Sequence, residues 1–176
     1  MKKILKYVLC IEILYLINIF KYLKKNYYCK MKEKKRIIRY NKKLEKLSQN
    51  TENLNEWTEG INEIVFKENL KLIKKYGIYH AFQIAVEIVS DITAMLVKDL
   101  KFIPKDDYSN IDILKNKKII NSDLAAKIRE ANGLRNRIVH DYDDLDNNIA
   151  YNKLLELIKS LYDFKEAVSD WLKNDC

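Results

Sequence analysis

An all-α fold is the first expectation for this chain, and three observations carry it. Its 176 residues hold only three glycines and one proline, so turn-formers are scarce. Hydrophobic residues make up 48%, and the composition is dominated by Leu, Ile, Lys and Glu, good helix formers. Apolar positions also recur at three- and four-residue steps over most of the length. The simplest architecture is an antiparallel bundle of four to five helices with an extra N-terminal hydrophobic helix.

Residues 1–30 form a basic, hydrophobic extension. Ile4 to Phe20 is strongly apolar between lysine clusters, but Lys6 and Glu12 interrupt it. The run falls short of the roughly 20 apolar residues a spanning helix needs, and no small-residue cleavage site follows. Three readings remain: a peripheral or marginal membrane helix, an extra helix packed on the domain, or translation that begins at Met31. The composition changes abruptly at Met31, where a conventional amphipathic helix opens, and translation is expected to begin there. The chain accordingly divides into 1–30 and a domain over 31–176. Cys10, Cys29 and Cys176 lack disulfide or ligand spacing, which points to a reducing, cytoplasmic setting.

The net charge of +8 resembles a nucleic-acid signature until it is divided. Seven lysines against Glu12 put +6 of it in residues 1–30, leaving 26 basic against 24 acidic residues beyond. Any polyanion binding must then come from a local patch.

From Lys32 to Gln49, Ile37, Tyr40, Leu44 and Leu47 define one amphipathic helix with a solvated basic face. Asn50 to Asn62 is polar and contains Gly60, which predicts a connection or weak helix with Trp57 turned inward. Ile64 to Leu100 reads as helical nearly throughout, with Gly77 as the place for a kink. His80 lies in this stretch as a partly exposed helix residue rather than a catalyst. Pro104 with Lys105-Asp106-Asp107 predicts the clearest loop, followed by a short helix from Ile111 to Lys117. Asn121-Ser122-Asp123 then supplies an N-cap cluster for a helix through Leu124, Ala125, Ile128, Ala131 and Leu134. The acidic turn Asp143 to Asn148 precedes a last helix with Tyr151, Leu154, Leu155, Ile158, Leu161, Val168 and Leu172 along one face.

Leu134 to Tyr142 is the chemically dense stretch, holding Arg135, Asn136, Arg137, His140 and Tyr142. At about 100° per residue Asn136 and His140 share a helix face, with Arg137 near it. Arg135 lies roughly 140° from His140, so the two converge only if the helix ends near His140. An arginine, an amide, a histidine and a tyrosine, without a carboxylate pair or metal-ligand spacing, suit phosphoryl chemistry on RNA. Such chemistry benefits from two proton-transfer groups, and a two-fold dimer would supply the second histidine. The plainer alternative is that the arginines pair with Asp141, Asp143 and Asp144 while His140 stabilises a helix end.

Arg135, four residues, His140, one residue, Tyr142 resembles the motif of the HEPN superfamily, in the form found in HepT-like toxins. Ile84 to Ile92 is similar to that family's central helix, and Pro104 through Gly133-Leu134-Arg135-Asn136 to its approach to the motif. The resemblance spans about residues 31 to 172. It implies a HEPN helical bundle, a homodimer with both motifs in one cleft, and metal-independent endoribonuclease activity without a cofactor. Arg135, His140 and Asn136 would be catalytic, and Arg137 and Arg129 would bind RNA. Tyr142 matches the tyrosine that a minimal nucleotidyltransferase antitoxin modifies with AMP, as in a type VII-like toxin–antitoxin system. The alternative is a non-catalytic, nucleotide-binding partner subunit of such a nucleotidyltransferase.

Overall fold

The computed structural model describes residues 2–140 and 147–174. Among them are five α-helices and one π-helical turn, and no strand. Two compact units are present, residues 1–40 and 41–176. The first is helical, bears an ion pair between Arg36 and Glu33 at 2.7 Å, and exposes Phe20, Tyr22, Leu23, Tyr27 and Ile38.

Helix α1, Lys2–Thr58, overruns two boundaries drawn from composition. The hydrophobic extension is part of this helix rather than an extra one, and the expected connection from Asn50 is helical as far as Thr58. Two threonines explain the second difference. The hydroxyls of Thr51 and Thr58 donate to the carbonyls of Leu47 and Leu54 at 2.9 and 2.7 Å, so both are satisfied while buried. The buried stripe Leu44, Leu47, Thr51, Leu54, Thr58 thus continues through a polar-looking sequence. Trp57 lies just off that stripe and is exposed rather than turned inward. Gly60, at φ +69°, makes the turn that follows.

The next stretch is not one helix. A π-helical turn, Val65–Asn69, is separated from α2, Leu72–Asp99, by extended backbone at Leu70 and Lys71. The break falls there and not at Gly77, because Phe66 is drawn into an aromatic cluster. Its ring stacks on Tyr151 at 3.9 Å and meets Tyr79 edge-on at 5.6 Å. The Tyr151 hydroxyl donates to the carbonyl of Ile61 at 3.0 Å, tying the last helix to this turn.

Helix α2 ends at Leu100 in a Schellman cap: the Phe102 N–H reaches the Val97 carbonyl, and Lys101 takes φ +67°. Beyond it, Asn110 is buried and clamps the loop through both the N–H and the carbonyl of Lys105. Helix α3, Asp107–Asn116, starts four residues before the expected Ile111, since Asp106 caps it by accepting from the Ser109 N–H at 2.9 Å. Helix α4, Ser122–His140, opens where the cap cluster predicts, with Asn121 accepting from the Leu124 N–H at 2.8 Å. Helix α5 is Asn147–Asn174. Its buried stripe contains the expected residues except Leu155, which sits at the edge of the stripe and is exposed; Leu157 and Phe164 are inside instead.

Helix α4 packs on α2, α3 and α5, and α2 is covered by α3, α4 and α5. Among the described residues α2 alone has the length and apolarity of a membrane span, and this covering explains its composition as that of a core helix. Each fully buried Leu, Ile or Phe contributes about 1.5–3 kcal/mol. The all-α helical bundle expected from the sequence is the fold observed.

A candidate active site on the face shared by α2 and α4

The buried positions of α4 are Leu124, Ala125, Ile128, Ala131, Asn132, Leu134 and Ile138. This stripe turns Arg135 toward α2 and leaves Asn136, Arg137 and His140 exposed. The helix is described as far as His140, and the helix end that convergence of Arg135 and His140 demands falls outside the described residues.

Three rungs connect α2 to α4. Ile138 lines a cavity of about 420 Å³ with Tyr76, Tyr79, His80 and Gln83. Arg135 Nη2 pairs with Glu87 Oε1 at 2.7 Å. Ser90 Oγ donates to Asn132 Oδ1 at 3.3 Å. Numbers rise along α2 as they fall along α4, so the two helices run antiparallel.

Glu87 is the residue that sequence reasoning missed. Its Oε1 accepts from Arg135 and, at 3.1 Å, from Gln83 Nε2. The hydrogen bond from Arg135 holds its carboxyl below the usual value, helped by the bond from Gln83 and, less, by the charges of Arg135 and His80. Glu87 is therefore ionised at neutral pH and fixes the guanidinium beside α2. No local signal pointed to it: Glu87 is an exposed acid on a helix face, and its partner lies 48 positions away in the sequence.

Asn136 accepts from Arg135 Nη1 at 3.0 Å, so its amide oxygen holds the arginine from the same helix. Arginine and asparagine are brought together; His140 stands one and a half turns further on, exposed. Arg137 has no partner among the described residues and faces solvent. Arg129 differs from expectation. It is ion-paired to Asp112, donates to the Tyr108 carbonyl at 3.3 Å and lies over the Tyr108 ring. Its place in the fold is a tie between α3 and α4, and a polyanion would have to compete with Asp112 for it. Tyr142 and the aspartates at 141, 143 and 144 lie outside the described residues. Among the described residues no group of three or more His, Cys, Asp or Glu is arranged to hold a metal ion.

Chemically, the arrangement offers an oriented cation for a phosphate, an exposed imidazole for proton transfer, and a second, solvent-facing cation in Arg137.

Comparison with known proteins fits this geometry. A candidate RNase of Archaeoglobus fulgidus is 38% identical over 101 residues, which are 57% of this chain and 76% of the relative. A candidate RNase of Methanocaldococcus jannaschii is 43% identical over 70 residues, 39% of this chain and 80% of the relative. Among solved structures, a tri-AMPylated HEPN toxin of Shewanella oneidensis in complex with MNT antitoxin matches with a TM-score of 0.67. That match covers 74% of this chain and 96% of the toxin at 17% identity, which establishes likeness of fold. Residues 47–168, more than half of the chain and inclusive of α2, α3 and the whole motif, match the HepT-like ribonuclease family, and the chain belongs to that family.

Proposed function

We propose that this protein is a metal-independent endoribonuclease, the toxin of a toxin–antitoxin pair, acting as a homodimer and inactivated by AMP addition to Tyr142. The observation that carries this reading is the Arg135 guanidinium held by Glu87 and Asn136, five residues before the exposed His140 on the same helix.

Arg135 binds the scissile phosphate and stabilises the charge that builds on its oxygens. A neutral imidazole, His140 of one protomer, takes the proton from the RNA 2′-hydroxyl. The 2′-oxygen bonds to phosphorus, and the bond from phosphorus to the 5′-oxygen breaks. The protonated His140 of the second protomer gives its proton to that 5′-oxygen. The products are a 2′,3′-cyclic phosphate and a free 5′-hydroxyl, with one proton moved between the two histidines. Each protomer supplies one histidine, which is why the active form is a dimer. Arg137 adds a salt-sensitive contact to the RNA backbone.

AMP on Tyr142, two residues past His140, places a bulky anion beside the phosphate site, where it blocks the cleft and repels a second phosphate. A minimal nucleotidyltransferase is the partner that would add it, and the neighbour's MNT antitoxin supports that choice. The protein is expected to work in the cytoplasm, where RNA substrate is found.

The test is cleavage of RNA in EDTA by purified protein whose Tyr142 is shown by mass spectrometry to be unmodified. Wild type should cut, and His140→Ala should fold normally and not cut. Equal inertness of both across RNA substrates would refute the enzyme reading.

A further inference from the structure

Behind Arg135, away from His140, lies a half-open cavity of about 270 Å³ lined by Val86, Glu87, Ser90, Asp91, Asp107, Asn132 and Arg135. Two donors in its wall are buried and unused. Asn132 is 3% exposed, and its Nδ2 has no hydrogen-bond partner; Arg135 Nε is likewise buried and unpaired. A buried amide donor left open costs stability on the order of a lost hydrogen bond, so a polar occupant is wanted there.

The rest of the wall decides what kind. Asp91 is paired with Lys43 at 2.6 Å and Glu87 with Arg135, while Asp107 on the rim has no partner among the described residues. The lining thus carries three carboxylates against one guanidinium, which rejects a phosphate or a carboxylate. The three acids do not form a metal-binding group. What fits is a flat, neutral group with an acceptor for Asn132 Nδ2 on one side and adjacent N–H donors for a carboxylate on the other.

We propose that this cavity is a nucleobase pocket selective for guanine, which has that edge: the O6 acceptor beside the N1–H and N2–H donors. O6 would take the Asn132 amide, and the N–H pair would face Asp107. Adenine offers no ring N–H beside its amine, cytosine one amine only, and uracil a single donor between two carbonyls. The pocket rests on the ribonuclease reading for its role, since it would seat the base adjoining the phosphate held by Arg135. It would give cleavage a sequence preference.

Full-length protein is titrated with guanosine, adenosine, cytidine and uridine in turn, following the Asn132 side-chain amide by NMR, and the same RNA is digested with the cut sites mapped. Guanosine should bind at least tenfold more tightly than the other three. Asn132→Leu, close in volume, and Asp107→Asn, a charge change on an exposed residue, should each weaken it several-fold, with circular dichroism unchanged. Equal binding of all four nucleosides, binding of none, or indifference to both variants overturns the pocket. These results do not depend on cleavage. RNA cut in a His140-dependent way without guanosine binding leaves the ribonuclease reading standing alone, and guanosine binding without cleavage leaves the pocket alone. A cutting preference lost in Asn132→Leu identifies the base as part of RNA, whereas guanosine binding with an unchanged cut pattern identifies a free nucleoside.

Discussion

Glu87→Gln isolates the charge that positions Arg135. At 2.7 Å two unit charges attract by roughly 1.5 kcal/mol with the dielectric constant of water and roughly 6 kcal/mol at an effective value of 20. The side chains of Arg135 and Glu87 are 29% and 46% exposed, so the pair sits near the aqueous limit, and ordering both side chains subtracts from it. Glutamine keeps an acceptor for Nη2. The net loss should be about 0.5–1 kcal/mol, a fall in melting temperature of about 1–4 °C. The pH dependence is the sharper readout. Arg135 holds the folded Glu87 carboxyl below the value of 4.5 it has when free, so its stabilisation is complete above that value and vanishes as pH falls through the lower folded one. Glutamine does not titrate. Urea melts followed by circular dichroism should therefore show wild type more stable at pH 7, with the gap closing at a pH well below 4.5. High salt should narrow it at pH 7. A gap equal at both pH values, or none at pH 7, would show that Glu87 and Arg135 are not paired by charge.

Other substitutions probe the frame and the chemistry separately. Phe66→Ala removes the ring stacked between Tyr151 and Tyr79 and should cost about 3–5 kcal/mol in chemical melts. Tyr151→Phe keeps the stack, loses the bond to Ile61, and should cost only about 1 kcal/mol; equal costs would mean that stacking contributes nothing. Lys118 takes φ +58° at the end of α3, a conformation that costs a side-chain-bearing residue roughly 1–2 kcal/mol. Lys118→Gly, after the entropy glycine adds to the unfolded chain, should gain about 0.5 kcal/mol, and a clear loss of stability would contradict the account of that cap. His140→Ala should lower the single-turnover cleavage rate by about 10²–10⁴-fold with the melting curve unchanged; a smaller loss would move the proton transfer elsewhere.

Much of this protein is written in local pattern. Periodicity and the shortage of glycine and proline suffice for an all-helical bundle. The cap at Asn121 follows from residue types within a few positions of the helix start. Arg135, Asn136 and His140 stand out because their spacing is read along one helix. Polarity misleads where a hydroxyl is satisfied by its own helix, as at Thr51 and Thr58, and where an aromatic cluster overrides helix propensity, as at Phe66. Only the tertiary structure could join Glu87 to Arg135, Ser90 to Asn132 and Asp112 to Arg129, because these partners lie 48, 42 and 17 positions apart on helices brought together by burial of their apolar stripes. The motif was legible alone; what holds its arginine, and the pocket behind it, exist only once α2 lies antiparallel to α4.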